Sequence, residues 1–584
     1  MKVLEGSVMH LKKSPRPDGR IYLSAVHGYR EPNSGKTKMR TIQSFGYVDK
    51  LKEQYDDPIA HFGKVVAAME AERIATQGVF EIRIDPNSRL EKGTSRKNFG
   101  FVALSTIYHE LGLDWFFNNR RSGTAATYNL SSIFKLLVYG RILDPGSKQR
   151  TYRRREGYFE RFDFSLDDVY RALTDLALLS EDIQLFLHER ISKLYGRSTE
   201  LVYYDVTNYY FESDATSTLR EKGYSKENRA DPIIQMGLLI DRCGIPITFD
   251  LFKGNTVDCQ TLLPVLSRIK HTFGLDRIVV VADKGLNTSD NIAYNLIKGD
   301  GYLFSKSVRK ADKELRSWTC ERKGYRKSSE DTFTKSRIAK RRVYLEGPDG
   351  KTKPVPIEEK QVAVWSRKYA RRQAKKREGE IEKAKMLIDD VARFDKATHS
   401  GAARFVKGLV IDKKTGEILE GKVARSLDTK RIEQEASLDG FYILTTSEMK
   451  KTSKELVSLY SGLWKIEDCF KVTKSDLRSR PVYLSRDDHI AAHFLTCFMA
   501  LTLLRILEMK IEHKYPAPQL IDAMRRCSAS HLEDNVWVFD YTSDVLEDIG
   551  SAVGIDFSRK YLRKREIVKT IGDSKKKQAC PQQV

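Results

Sequence analysis

The chain has 584 residues, more than one hydrophobic core usually supports, so several domains or one domain with large insertions are expected. A formal net charge of +23, spread over every region, creates a long-range field that attracts polyanions, nucleic acid above all. Seven cysteines without a CxxC pair argue against a complete disulfide framework and fit a reducing cytosol, and the first residues lack an apolar run of signal-peptide length, so secretion is not expected.

Residues 1–56 read as a basic β-hairpin region, with strand-like pieces at 20–29 and 39–47 around a turn at 31–36. Residues 57–200 are helical, clearest at 57–76, 101–111, 129–139 and 166–179. A basic helical region suits DNA binding, although plain helix packing explains the periodicity equally well.

The pattern turns to strands at Leu201. Residues 201–206, 233–240 and 245–252 alternate as strands, the last two joined by a tight turn. A helix at 261–273 leads into residues 278–282, apolar on both faces as a central, doubly covered strand must be, and the run ends in Asp283. A helix capped by Thr288 or Ser289 and a strand at 301–305 follow. This order, βββαβαβ, is that of an α/β ribonuclease-H-like core, whose first part is residues 201–305. Residues 306–439 interrupt it as a β-rich insertion with a charged helix, and residues 440–510 resume it. Residues 511–584 form a helical C-terminal region with a basic tail. The most apolar helix, around 493–504, is too short to span a bilayer and continues into Arg505 and Glu508, so it is a core helix and no membrane is expected as a partner. No Walker-type phosphate loop is present, so ATP dependence is not suggested.

Residues 456–477 carry an oddity. Projected on one regular helix, their apolar stripe runs through Leu456, Leu459, Tyr460, Leu463, Phe470 and Leu477, and Glu467 and Lys474 fall inside it. Burying either charge unpaired is costly, so Glu467 is expected to face a polar hole in the interior, a salt bridge or a cation site. Asp205, near the end of the first strand, and Asp283, closing the central one, lie where an α/β sheet opens its ligand crevice, and a helix packed across that edge brings Glu467 to them. Three converging carboxylates repel, and a divalent metal between them is the simplest remedy. Asp250 and Asp258 compete for the same role. His489 and His493 stand one helical turn apart, but no third zinc ligand is evident and packing is the expected role.

The segments YYDVTNYYFE around Asp205, VVVADKGL around Asp283 and LYSGLWKIEDCFKVTKSDLRSRPVYL around Glu467 resemble DDE transposases of the bacterial IS4 superfamily, closest in texture to the IS1634 group. That group's helix carries a Tyr, Arg, Glu, Lys signature, matched here by Tyr460, Glu467 and Lys474, with Leu463 at the Arg position. The resemblance implies metal-dependent cutting at insertion-sequence ends and transfer of the freed 3′ hydroxyl to target DNA, in cut-and-paste fashion with a hairpin intermediate. It also implies Asp205, Asp283 and Glu467 as ligands of two Mg²⁺ (or Mn²⁺) ions, and Tyr460 and Lys474 as contacts to the DNA backbone. Lys465, Arg478 or Arg480 stand in for the missing Arg, or nothing does. Trp464 is either a base-stacking ring or, the expected role, core packing. The implied partners are the terminal inverted repeats and target DNA, bound by a homodimer in the synaptic complex, in the bacterial cytoplasm at the nucleoid. A nuclease without strand transfer and a non-catalytic, transposase-derived DNA-binding protein are the alternatives.

Overall fold

The computed structural model describes residues 9–30, 37–76, 87, 89, 96–121, 128–223, 230–346, 352–389, 401–407, 410–411, 418–419, 426–532 and 535–576. The expected turn at 31–36 and the tail beyond residue 576 lie outside them. The chain divides into two compact units, Met1–Leu90 and Glu91–Val584.

In the first unit, β1 (His10–Pro15), β2 (Ile21–Arg30) and β3 (Thr37–Tyr47) form an antiparallel sheet in chain order. Met9 and Ala25 pack on Val66 of α1 (Pro58–Thr76). The helix starts where Asp57 accepts the Ile59 and Ala60 amides at 3.0 Å, the usual remedy for unsatisfied first-turn N–H groups. The helix that begins the sequence's helical stretch thus belongs with the strands before it.

The second unit is built on a nine-stranded sheet. Its heart is β4 (Leu201–Tyr210), β5 (Ile233–Asp241), β6 (Pro246–Lys253), β7 (Val279–Ala282) and β8 (Gly301–Lys306), lying in the order β6-β5-β4-β7-β8. Strands β4, β5 and β6 pair antiparallel, while β4, β7 and β8 run parallel through helical crossovers. This is the ribonuclease-H-like arrangement. Two long strands of the interruption, β9 (Thr332–Glu346) and β10 (Thr352–Ser366), continue the sheet, because β10 pairs with β11 (Phe441–Thr446), which pairs with β8. The hairpin covers the outer edge of β11.

Apolar alternation separates the two faces of the sheet. Val202, Tyr204 and Val206 pack under α2 (Leu262–Thr272), and Leu201, Tyr203 and Tyr209 face a larger core on the other side. That larger core holds α3 (Ser453–Ser461), α4 (Trp464–Lys471) and α5 (Asp487–Lys510), together with helices between Phe101 and Tyr195. Among the described residues α5 alone is long and apolar enough to cross a membrane, and 94% of its apolar stretch is buried inside the protein. The C-terminal region also contains strands: Ser528–His531, Val536–Phe539 and Tyr561–Arg563 form a sheet with Arg96–Asn98. The six described cysteines are free.

Candidate active site

The parallel ladder pairs Leu201 with Val279, Val202 with Val280 and Tyr203 with Val281. Continued two residues further, the same register sets Asp205 level with Asp283. Strand β7 stops at Ala282, so Asp283 is the first residue beyond it, whereas β4 runs on to Tyr210 along β5. Asp205 is therefore mid-strand rather than at a strand end, but it lies beside the end of its neighbour. Alternation puts Asp205 and Thr207 on the face of Tyr203 and Tyr209, and Asp283 on the same face beyond Val279 and Val281. Both acids are half-buried.

Helices α3 and α4 cross this face. A capping box opens α3, in which the Thr452 hydroxyl accepts the Glu455 amide and the Glu455 carboxylate accepts the Thr452 amide. Leu456, Ile466, Cys469 and Phe470 point into the core. Between the helices lies Gly462, where a Cβ would fall 2.6 Å from the Tyr203 Cζ and closer still to its hydroxyl. Only a residue without a side chain lets β4 approach so near, and the Tyr203 hydroxyl uses that closeness to donate to the Leu459 carbonyl at 3.0 Å.

This contact places the signature residues. The Tyr460 hydroxyl donates to Asp283 Oδ1 at 3.3 Å, and the Ser305 hydroxyl donates to the same oxygen at 2.8 Å. Burial, helped by the Asp283 charge, pushes the Tyr460 phenol well above its usual pKa and keeps it a donor. Beyond α4 the helix widens into a π turn at Val472–Asp476, from which Lys474 donates to Thr207 Oγ1 at 2.6 Å. Its ammonium lies 5.4 Å from the centre of the Tyr209 ring. Thr207, Ser305 and Gly462 escaped the sequence reading. The first was findable, since a strand's period of two puts it on the face of Asp205.

Other expectations change. Glu467 is exposed rather than inward, and among the described residues it forms no ion pair. The three-acid cluster is not assembled here: among the described residues no group of three His, Cys, Asp or Glu side chains stands together as a metal site. Trp464 is 59% exposed, which overturns the core-packing role expected for it. Leu463 is buried, and Lys465 donates to the Arg242 carbonyl at 2.6 Å, so its charge is already engaged. Arg478 is exposed, and Arg480 lies over the Tyr210 ring. Asp250 pairs with Arg268 of α2 at 3.0 Å, and burial pushes its carboxyl up to about 6. That pairing turns it to the opposite side of the sheet from Asp283. His493 packs with Nε2 3.1 Å from the Ser479 carbonyl, and burial with nearby Arg141 and Lys148 holds its pKa far below the usual value.

Asp205 and Asp283 thus stand level on neighbouring strands of a ribonuclease-H-like sheet, and the family comparison gives the class, a polynucleotidyl transferase. The chain belongs to the DDE transposases: the transposase DDE domain family matches residues 211–503, half of the chain, and the N-terminal domain of IS1634 family transposases matches residues 11–78. The first match contains Asp283 and Glu467 and begins six residues after Asp205. Remote structural similarities include a piggyBac transposase synaptic complex with hairpin DNA, at 9% identity over 81% of this chain and 82% of that one, with a TM-score of 0.36. A pre-cleavage Mos1 transpososome aligns at 10% identity over 42% of this chain and 69% of that one, with a TM-score of 0.12. No curated protein matches the chain.

Proposed function

We propose that Asp205, Asp283 and Glu467 are the catalytic acids of this DNA transposase, which cuts at the ends of its insertion sequence and joins the freed 3′ hydroxyl to target DNA. The observation that carries the reading is the shared level and face of Asp205 and Asp283, with Tyr460 bonded to Asp283. DDE transposases use divalent metal ions, and the donors fit Mg²⁺ or Mn²⁺: hard carboxylate oxygens, few in number, at an edge open to substrate phosphate. Asp205 and Asp283, joined by Glu467, would hold two such ions, and ions bound there would supply activation of the attacking oxygen and stabilisation of the leaving one.

The remaining residues bind and orient. Tyr460 and Ser305 fix the Asp283 carboxylate in one orientation. Lys474 stations a cation on the face of Asp205, where a DNA phosphate would meet it. Exposed Trp464, one turn before Glu467, and Arg478 and Arg480 further along the chain contact DNA. The basic helices after Phe101 add DNA-binding surface. A homodimer in the cytoplasm, at the nucleoid, pairs two terminal inverted repeats with target DNA.

Supercoiled DNA carrying the element ends, incubated with Mg²⁺, tests the reading. Excision with joining is expected, and chelation should stop both while binding persists. Cutting alone would mark a nuclease without strand transfer, and binding alone a non-catalytic DNA-binding protein. Cut ends that snap back on a denaturing gel would reveal the hairpin route. Asp205→Ala and Asp283→Ala should abolish cutting and retain binding; if Asp283→Ala cuts like the parent, the site assignment is wrong.

A further inference from the structure

The segment between the π turn and α5, residues 478–486, has an unusual combination of features. Its backbone is tied down from several elements. Arg141, buried on the helix Leu130–Leu143, donates to the Leu477 and Arg478 carbonyls at 3.3 and 3.2 Å. The Ser479 hydroxyl donates to the Thr473 carbonyl at 2.7 Å, and His493 abuts the Ser479 carbonyl. The Val482 amide donates to the Tyr210 carbonyl at 3.2 Å, and Arg220 donates to the Ser485 carbonyl at 2.9 Å. Arg478 is held with φ of 44°, a left-handed conformation that a long side chain adopts only when its surroundings impose it.

What this anchored backbone presents is exposed. The Tyr483 ring is 71% exposed, and its hydroxyl donates to Glu212 at 3.5 Å. Arg478 points to solvent, and among the described residues no carboxylate pairs with it. An exposed ring on an anchored backbone, five residues from the exposed Arg478, is a good stacking surface. Duplex DNA hides the faces of its bases, whereas an unpaired strand offers them, with phosphates for the neighbouring cations. The Val482–Tyr210 bond fixes the segment to β4 itself, five residues along the strand from Asp205, or roughly 17 Å at about 3.4 Å per residue. That is within a few nucleotides of the cutting site.

We propose that residues 478–486 form a preorganised platform for an unpaired DNA strand leaving the active site, with Tyr483 stacking on a base and Arg478 meeting the backbone. The proposal rests on the reading of the Asp205–Asp283 edge as the DNA-cutting site. It is tested on the full chain, in chelator so that nothing is cut, by comparing a blunt duplex with the same duplex carrying an unpaired oligothymidine tail that contains 2-aminopurine. The parent should prefer the tailed DNA by about tenfold, the scale of one stacked base, and quench the 2-aminopurine. Tyr483→Ala should lose the preference and the quenching, Tyr483→Phe should keep both, and Arg478→Ala should weaken both DNAs alike. No tail preference in the parent, or full preference and quenching in Tyr483→Ala, overturns the platform. Because the readout is binding without cutting, an Asp283→Ala protein that still cuts would refute the site reading and leave this result to stand or fall by itself.

Discussion

Gly462→Ala separates packing from helix propensity, because the two predict opposite signs. Gly462 has ordinary helical angles, φ −62° and ψ −10°, so alanine meets no backbone obstacle there. Propensity alone would stabilise the variant by up to about 1 kcal/mol. Against this, the new methyl group would sit 2.6 Å from the Tyr203 Cζ, well inside van der Waals contact. Overpacking of this kind costs about 1–3 kcal/mol, and displacing the Tyr203 hydroxyl from the Leu459 carbonyl costs about 1 kcal/mol more. The net expectation is destabilisation by about 1–3 kcal/mol. Cutting should fall further than folding does, because the shifted segment carries Tyr460 on one side and Glu467 on the other. Urea unfolding measures the first effect and cutting of supercoiled substrate the second. Tyr203→Phe removes the hydroxyl but not Cζ, so the double variant should recover part of the loss, a coupling of about 1 kcal/mol in a double-mutant cycle. A Gly462→Ala protein as stable and as active as the parent would refute the close approach of α3 and α4 to β4.

Lys148 is 4% exposed, and among the described residues no acid pairs with it. Burial, reinforced by nearby Arg141, pushes its amine down to about 7. The unfolded chain keeps that proton up to the ordinary lysine range, so stability should rise as pH climbs from about 7 towards 10.5. Lys148→Met should flatten this rise and stabilise the protein near pH 7, by on the order of a few kcal/mol, in thermal melts across pH. Arg505 of α5 bonds Asp468, the neighbour of Glu467, at 2.8 Å and buried Glu508 at 2.6 Å. Arg505→Met leaves Glu508 buried and unpaired, and a loss of about 3–5 kcal/mol in urea unfolding is expected. DNA affinity should fall with salt by about 0.9 log unit per log unit for each phosphate contacted, and a flat response would sink the electrostatic account of the +23 charge.

The order of strands and helices from Leu201 to Lys306 was legible in the chain because it rests on local periodicity: alternating apolar residues, a doubly apolar run before Asp283 and short turns. The exposure of Glu467 and Trp464 was not. Projecting residues 456–477 on one regular helix assumed a constant phase, whereas the chain breaks between α3 and α4 and then loosens into a π turn. The remaining surprises are pairings between distant parts of the chain. Arg96–Asn98 finds its partner strand at Ser528–His531, and the interruption's hairpin joins the central sheet rather than standing apart from it.

By itself, then, the sequence determined the ribonuclease-H-like element order, the basic character, and the identity of Asp205, Asp283 and Glu467 as candidate acids. Only the tertiary structure decided which of these share a place. The ladder register between β4 and β7 sets Asp205 beside Asp283, and the missing side chain at Gly462 brings Tyr460 onto Asp283. Both depend on backbone approach across nearly eighty or more residues, which local periodicity does not encode.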